Sequence, residues 1–250
     1  RLQSDRGVRE FPIAGVYYDY TAGAGNVIMD NAVYRAAWDD DRISSIGRCL
    51  AAGQDADRLV PALQRQFGTR AELLIRWQEP HRCYHDPRHL AECLQALDRL
   101  DGGDVEELAL WFHDAVYQGR RGSDERSSAR LARQLLGEEG ERAGVVDEVA
   151  RLVRVTEHHR PWPSDSAAQR VSDADLAIFG ARAERYRESV ADLRRENAGV
   201  PDDQWRLIRL WHLRGLQRRG VIYATPRARA LWQARAEANI AAELRAITRG

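Results

Sequence analysis

The chain has few cysteines, no lysine, no surplus of either charge and no long apolar run. Its three cysteines, Cys49, Cys83 and Cys93, are odd in number and lack Cys-x-x-Cys spacing, which argues against a disulfide scaffold or a zinc–thiolate site. Reduced thiols in a cytoplasmic protein are therefore expected. No stretch of about 18 apolar residues occurs, so the sequence predicts no membrane span.

Charge gives no support to a nucleic-acid or membrane-surface partner. The 38 cations, all arginines, balance 38 acidic residues, whereas binding to polyanions favours a basic surplus. Arginine in such number suits many surface ion pairs. The 250 residues suffice for one large domain or two modest ones. Because the chain begins at Arg1 rather than at methionine, the sequence leaves open a native start upstream.

The sequence pattern changes near residue 77. Before it, β-rich runs predict strands, and one stretch has helical spacing; the strands are expected at 11–18, 26–29, 43–50 and 71–77, and the helix at 55–67. After it, the pattern is helical nearly throughout. We therefore predict a mainly α protein, with a small α/β unit over 1–76 followed by an all-α domain over 77–250.

Capping residues and apolar periodicity set the predicted helices of the second part. Asp86 followed by Pro87 is typical of an N-cap and a first helical position. The predicted helices cover 87–100, 104–117, 123–136, 145–159, 172–179, 182–197, 202–219 and 226–248.

The dipeptide His113-Asp114 lies inside an apolar, helix-length segment at 111–117. Burial of an imidazole beside a carboxylate is energetically unfavourable unless a ligand compensates for their desolvation. A divalent metal does so, because both groups are common metal ligands. Further His and Asp residues at helix-like positions indicate one site built from several helices, and they are His85, His89, His158, His159, Asp173 and Asp175.

Structural alternatives exist for single members of this set. If a helix begins at Pro87, His89 lies in its first turn and His85 lies outside it, so the two are not a ligand pair on one helical face. A lone buried histidine is commonly a hydrogen-bonded core residue. His158 and His159 could favour the negative end of a helix dipole, and Asp173 could be only an N-cap. We expect His81 and His212 to be surface or packing residues.

These residues resemble the HD superfamily of metal-dependent phosphohydrolases, and in particular a branch of unassigned substrate. The resemblance covers about 77–248. It lies in Arg-x-Tyr-His-x-x-x-His at 82–89, Trp-Phe-His-Asp-Ala-Val-Tyr at 111–117, Glu-x-x-Ser-Ala at 125–129, Thr-x-x-His at 156–159 and Asp-Ala-Asp-Leu-Ala-Ile-x-Gly at 173–180. One departure is Asn197, where an aromatic residue is expected.

The resemblance implies an all-α HD helical bundle in which His89, His113, Asp114 and Asp175 bind the metal. His85, His158 and Asp173 are expected in support of these ligands or at an additional metal. We expect a metal-activated water to hydrolyse a nucleotide or other small phosphoester. Asp114, Glu125 and His159 are the candidate catalytic groups, and Arg120 and Arg121 are placed to meet a phosphate, although a solvated loop explains the arginines equally well.

The alternative is a non-catalytic HD-type ligand-binding or scaffold protein. The metal would be a divalent ion, and the sequence does not choose among Mn, Fe, Co, Ni, Zn and Mg. Nor does it set the oligomeric state.

The first 76 residues show a shorter resemblance. The run at 11–20, a glycine turn, Val27-Ile28-Met29-Asp30 and Tyr34 are similar to part of the extracytoplasmic domain of ABC-transporter permeases. A fused fragment without activity of its own is the expectation for this unit.

Overall fold

The computed structural model describes residues 2–4, 7–9, 68–120 and 122–249. The chain divides into two compact units, Arg1–Gln54 and Asp55–Gly250. In the first unit, strands β1 (Leu2–Ser4) and β2 (Gly7–Arg9) form an antiparallel pair in which Leu2 lies opposite Arg9. The predicted strands at 11–18, 26–29 and 43–50 and the predicted helix at 55–67 lie outside the described residues.

In the described part of the second unit, all regular secondary structure is helical, which confirms the predicted mainly α fold class. The first helix, α1, covers residues 68–77. The others are α2 (Pro87–Arg99), α3 (Asp104–Phe112), α4 (Ser123–Glu138), α5 (Ala143–Val155), α6 (Ser166–Asp175), a 3-10 helix (Leu176–Gly180), α7 (Ala183–Glu196), α8 (Asp202–Arg218) and α9 (Pro226–Arg249).

The strand predicted at 71–77 is wrong, because these residues belong to α1. Leu73 and Trp77, four residues apart on one helical face, are fully buried, whereas Ile75 is 70% exposed. A short apolar run fits a strand or a helix equally well by pattern, and here contact with the helical core decides. The predicted boundary at 76/77 therefore differs from the division at 54/55, and α1 lies in the second unit. An α/β fold for residues 1–76 stays a prediction.

The start of α2 is as predicted. The Asp86 carboxylate accepts the backbone N–H groups of Arg88 and His89, at 2.9 and 3.1 Å, and Pro87 occupies the first turn. Such a cap contributes about 1 kcal/mol of helix stability. It also fixes the first turn of α2, which carries His89.

The helix that carries His113 is shorter than predicted. It ends at Phe112, so His113 is its C-cap and Asp114 lies in the following turn. The Arg82 guanidinium donates to the carbonyl oxygens of Asp114 and Ala115, at 2.7 and 3.4 Å. Because a distant side chain satisfies these carbonyls, the chain can leave the helix here without losing hydrogen bonds.

Two further helix predictions need correction. The helix predicted at 172–179 instead begins at Ser166, capped by Asp165, and gives way to the 3-10 helix after Asp175. Asp173 is consequently in the last turn rather than at the N-cap. The helix predicted to reach His159 ends at Val155.

The core of the second unit lies between these helices. α4 packs against α5, α3 against α5, and α2 against α6. Fully buried side chains at the centre include Trp77, Leu110, Phe112 and Leu152, and burial of each such side chain stabilises the fold by about 1.5–3 kcal/mol. Within the described part of the chain, no helix combines the length and apolar character that a bilayer crossing requires.

Candidate metal centre

Three helices bring the four predicted ligands together. His89 is in the first turn of α2, His113 and Asp114 follow directly at the end of α3, and Asp175 is the last residue of α6. The two histidines are almost fully buried, at 2% and 1% side-chain exposure, whereas the two aspartates keep 16% and 14%. The imidazoles therefore form the floor of the site and the carboxylates its open side.

The ligand atoms converge on a common point. Nε2 of His89 lies 3.2 Å from Oδ1 of Asp175 and 3.8 Å from Oδ2 of Asp114. Nε2 of His113 lies 3.2 Å from Oδ2 of Asp114 and 3.6 Å from Oδ1 of Asp175. The two Nε2 atoms are 3.4 Å apart.

The backbone and neighbouring rings orient the two imidazoles. The carbonyl oxygen of Leu110 lies 2.7 Å from Nδ1 of His113 and accepts a hydrogen bond from it, which directs Nε2 toward the other residues of the cluster. The Trp77 ring lies 5.3 Å from the His113 ring and 6.2 Å from the His89 ring, between centroids. Trp77 itself is held by a 3.0 Å hydrogen bond from Nε1 to the Trp111 carbonyl.

Cys93 also lies at this site, although the sequence did not predict it there. Single ligand atoms of His89, Cys93, His113 and Asp175 all lie within 4.8 Å of one another, so this buried group could hold a metal ion. The Cys93 sulfur is 3.7 and 3.6 Å from Nδ1 and Nε2 of His89. The i, i+4 spacing of His89 and Cys93 on α2 is a signal for two ligands on one helical face. A single cysteine without a second at close spacing, however, favours an ordinary buried thiol.

Electrostatics around the cluster favour charged carboxylates. Burial alone would raise the pKa of Asp114, but His113 and His85 hold it at about 2. The pKa of Asp175 is held well below its usual range, because His113 and His89 outweigh its burial. Burial would lower the pKa of His113, yet the two carboxylates raise it well above 6.5. Desolvation, assisted by Asp175, raises the pKa of the Cys93 thiol well above its ordinary value.

His85 lies beside the cluster rather than inside it. Its Nε2 is 3.9 Å from Oδ2 of Asp114, and its ring stacks on Tyr117 at 4.1 Å. Its Nδ1 is 2.5 Å from Oε1 of Glu196, whose side chain is 2% exposed. The contact between Glu196 and His85 was not predicted from the sequence, because only the tertiary structure brings the end of α7 to residue 85.

His159 occupies the matching position on the other side. Its Nε2 is 3.5 Å from Oδ2 of Asp175, and its Nδ1 is 3.2 Å from the Ser172 hydroxyl. The Asp175 carboxylate thus lies between the buried histidines on one oxygen and His159 on the other. His159 has a positive φ of 48°, so the backbone changes direction at this residue, a few positions after the end of α5.

Other candidate residues have different partners. His158 is exposed, and its Nε2 lies 3.3 Å from Oε1 of Glu157. The buried Asp173 carboxylate accepts the N–H groups of Ala224 and Thr225 and the Thr225 hydroxyl, each at 2.7 Å. The structure therefore brings neither His158 nor Asp173 to the cluster, since one faces solvent and the other holds the start of α9. Arg121 lies outside the described residues.

The two histidines expected to be surface or packing residues have contacts of that kind. His81 is half exposed, and its Nε2 is 2.9 Å from the Tyr117 carbonyl. The His212 ring stacks on Phe179 at 6.0 Å.

A cavity of about 350 Å³ opens above the carboxylates. Its polar lining residues include Asp114 and Asp175 together with the predicted Arg120, Glu125 and His159, and its apolar lining residues include Phe179, Leu193, Trp205 and Ile208. The Glu125 carboxylate accepts the Gly122 N–H, and half-burial raises its pKa. Asn197, which replaces the expected aromatic residue, lines the cavity and donates from Nδ2 to the Leu193 carbonyl.

Comparison with known proteins does not show a family for this chain. No family model matches it, and no solved structure matches it. Among curated proteins, it is 38% identical over 74 residues to an uncharacterised ABC-transporter permease of Mycobacterium tuberculosis. That match covers 30% of this chain and 9% of the permease, which supports a partial likeness to permeases and no more.

Proposed function

We propose that this protein is a metal-dependent phosphohydrolase of the HD type. The observation that carries the proposal is the convergence of two buried imidazoles and two carboxylates beneath one cavity. Two histidines and two aspartates suit Mn, Fe, Co, Ni or Zn better than calcium, which prefers oxygen ligands.

We assign the metal to His89, His113, Asp114 and Asp175. Four ligands at about 2.1 Å from a tetrahedral ion are about 3.4 Å apart. The two histidine Nε2 atoms lie at a similar distance, 3.2–3.8 Å, from each other and from the nearest oxygens of the two aspartates. Cys93 is the competing ligand to Asp114. Its thiol has a raised pKa, so it gives up its proton less readily than a carboxylate that is already charged. His85 and His159 then support the carboxylates from outside.

When bound, a divalent ion supplies a Lewis acid that acidifies water and neutralises charge on a phosphoryl group. The chain's own residues place the substrate. Asp114 and Asp175 face the cavity, so their free lone pairs can accept hydrogen bonds from an attacking water. Burial of the imidazoles excludes water from the floor and leaves the cavity as the approach route.

The remaining polar lining residues supply the other roles. His159 and Glu125 line the cavity and are the candidates to donate a proton to the leaving oxygen. Arg120 lines the same cavity and has guanidinium donors for a phosphate. The apolar lining residues accept the organic part of a small phosphoester, such as a nucleotide. A cytoplasmic location is part of the proposal and agrees with the free thiols of Cys83 and Cys93.

The test is a phosphoester screen on the full chain after chelation and return of Mn, Co, Ni, Zn or Mg. Metal-stimulated phosphate release is expected, with loss of roughly 100-fold or more in Asp114→Asn. The control Asp98→Asn removes an equal charge from an exposed position on α2 and should keep full activity. If the wild type binds metal and hydrolyses nothing in the screen, the non-catalytic ligand-binding alternative replaces this proposal.

A further inference from the structure

A second candidate binding site lies between α4 and α5, apart from the metal centre. It is a groove of about 470 Å³ whose floor is formed by the buried Ala129 and Ala150. Five arginines line it, three from α4 and two from α5: Arg126, Arg130, Arg133, Arg151 and Arg154. We call it the arginine groove. Within the described part of the chain, it shares no lining residue with the cavity above the metal centre.

The helical spacing explains why these arginines face one another. Arg126, Arg130 and Arg133 are four and three residues apart, so they share one face of α4. Arg151 and Arg154 share a face of α5 in the same way, and α4 packs against α5 with a short connection between them. Alanine on both helices leaves space between the two rows.

Part of the groove's hydrogen-bonding capacity is already used at its edges. Arg133 pairs with Asp147 at 3.2 Å, and Arg154 with Glu157 at 2.7 Å. Arg151 pairs with Glu148 and Asp165. These carboxylates are not among the lining residues. Arg133 and Arg154 each donate one hydrogen bond in these pairs, and a guanidinium carries five N–H donors. Arg130 donates to the Ser127 hydroxyl at 3.1 Å, which uses one of the five N–H donors of its guanidinium.

We propose that the arginine groove binds a small polyanion that carries two or more phosphate groups. Guanidinium groups match phosphate oxygens as paired donors. Seven residues of helix separate Arg126 from Arg133, which corresponds to about 10 Å along α4. A single phosphate reaches only part of that length, whereas a short chain of phosphates contacts arginines along both helices.

The proposal is tested by calorimetric titration of the metal-free full chain with inorganic tripolyphosphate at low salt. Wild type binds, and Arg126→Ala/Arg130→Ala binds roughly tenfold or more weakly, since two charged donors are lost. Affinity also falls steeply with added salt. Orthophosphate binds much more weakly than tripolyphosphate.

Two controls keep the result interpretable. Arg142→Ala/Arg187→Ala removes the same charge from exposed arginines outside the groove and keeps wild-type affinity. Unchanged circular dichroism melting shows that the groove variant is folded. Absence of wild-type binding, or equal loss in both double variants, overturns the proposal. Neither outcome bears on the proposed hydrolysis, because no turnover is measured.

Discussion

Glu196 holds His85 in place through both of its carboxylate oxygens. Oε1 lies 2.5 Å from Nδ1 of His85, and Oε2 accepts the N–H groups of Cys83, Tyr84 and His85 at 2.9–3.0 Å. With Nδ1 engaged, Nε2 of His85 is directed to Asp114. One buried carboxylate on α7 thus fixes the loop before α2 and the His85 ring beside the proposed metal ligands.

Glu196→Gln should destabilise the protein at neutral pH by about 2–4 kcal/mol, because it removes a buried charge that accepts four hydrogen bonds. Burial alone would raise the pKa of Glu196, but its bonds from His85 and the backbone hold it well below its usual range. A lowered pKa stabilises the fold above the unfolded-state pKa and loses this effect as pH falls.

Urea unfolding of wild type and Glu196→Gln across pH 3–7 measures this effect. The difference in unfolding free energy should be largest near neutral pH and shrink below about pH 4. A difference that stays constant with pH would show that the carboxylate charge is not the cause.

The two histidines of the Arg-x-Tyr-His-x-x-x-His segment should differ in their effect on metal binding. His89→Ala should reduce metal affinity much more than His85→Ala, because Nε2 of His89 lies among the ligand atoms and His85 reaches only Asp114. Competition with a chromophoric chelator gives both affinities. The opposite order would assign the ligand role to His85.

Metal-affinity measurements on variants also decide whether Asp114 or Cys93 is the metal ligand. Asp114→Asn should cost roughly 10- to 100-fold or more in metal affinity, whereas Cys93→Ser should cost much less. Cobalt spectra add a direct view, since a bound thiolate gives an intense charge-transfer band. Such a band in wild type, lost in Cys93→Ser, would assign Cys93 to the metal in place of Asp114.

Asp173 provides a structural contrast to these ligands. Asp173→Ala should destabilise the fold by about 2–4 kcal/mol, since it leaves the N–H groups of Ala224 and Thr225 without their acceptor. Metal content per folded chain should not change. Loss of metal with little loss of stability would place Asp173 at the metal instead.

The sequence predicted the beginnings of helices better than their ends. Asp86 and Pro87 act locally, so the start of α2 could be read from adjacent residues. The end of α3 could not, because Arg82, 32 residues before Asp114, satisfies the carbonyls that a longer helix would have used. The four proposed ligands were predicted from the order of motifs that the chain shares with the HD superfamily. Glu196 did not, since a carboxylate that contacts residues more than 110 positions away has no local signal.

Truncated fragments should show whether the chain divides after residue 54 or after residue 76. A fragment that starts at Asp55 retains α1, whereas one that starts at Gln78 loses the fully buried Leu73 and Trp77. Loss of each such side chain lowers the free energy of unfolding by on the order of 3–5 kcal/mol. We expect the longer fragment to be soluble and to bind metal, and the shorter one to aggregate; a stable, metal-loaded shorter fragment would restore the 76/77 boundary.

Phosphoester hydrolysis driven by a metal at His89, His113, Asp114 and Asp175 is the function that we propose for this protein. Its most direct test follows phosphate release while a divalent metal is returned stepwise to chelator-treated full chain, with bound metal measured in parallel. Activity should rise in proportion to occupancy of the site, and Asp114→Asn should stay inactive throughout. Full occupancy without phosphate release from any ester tested, or equal activity without metal, would contradict it.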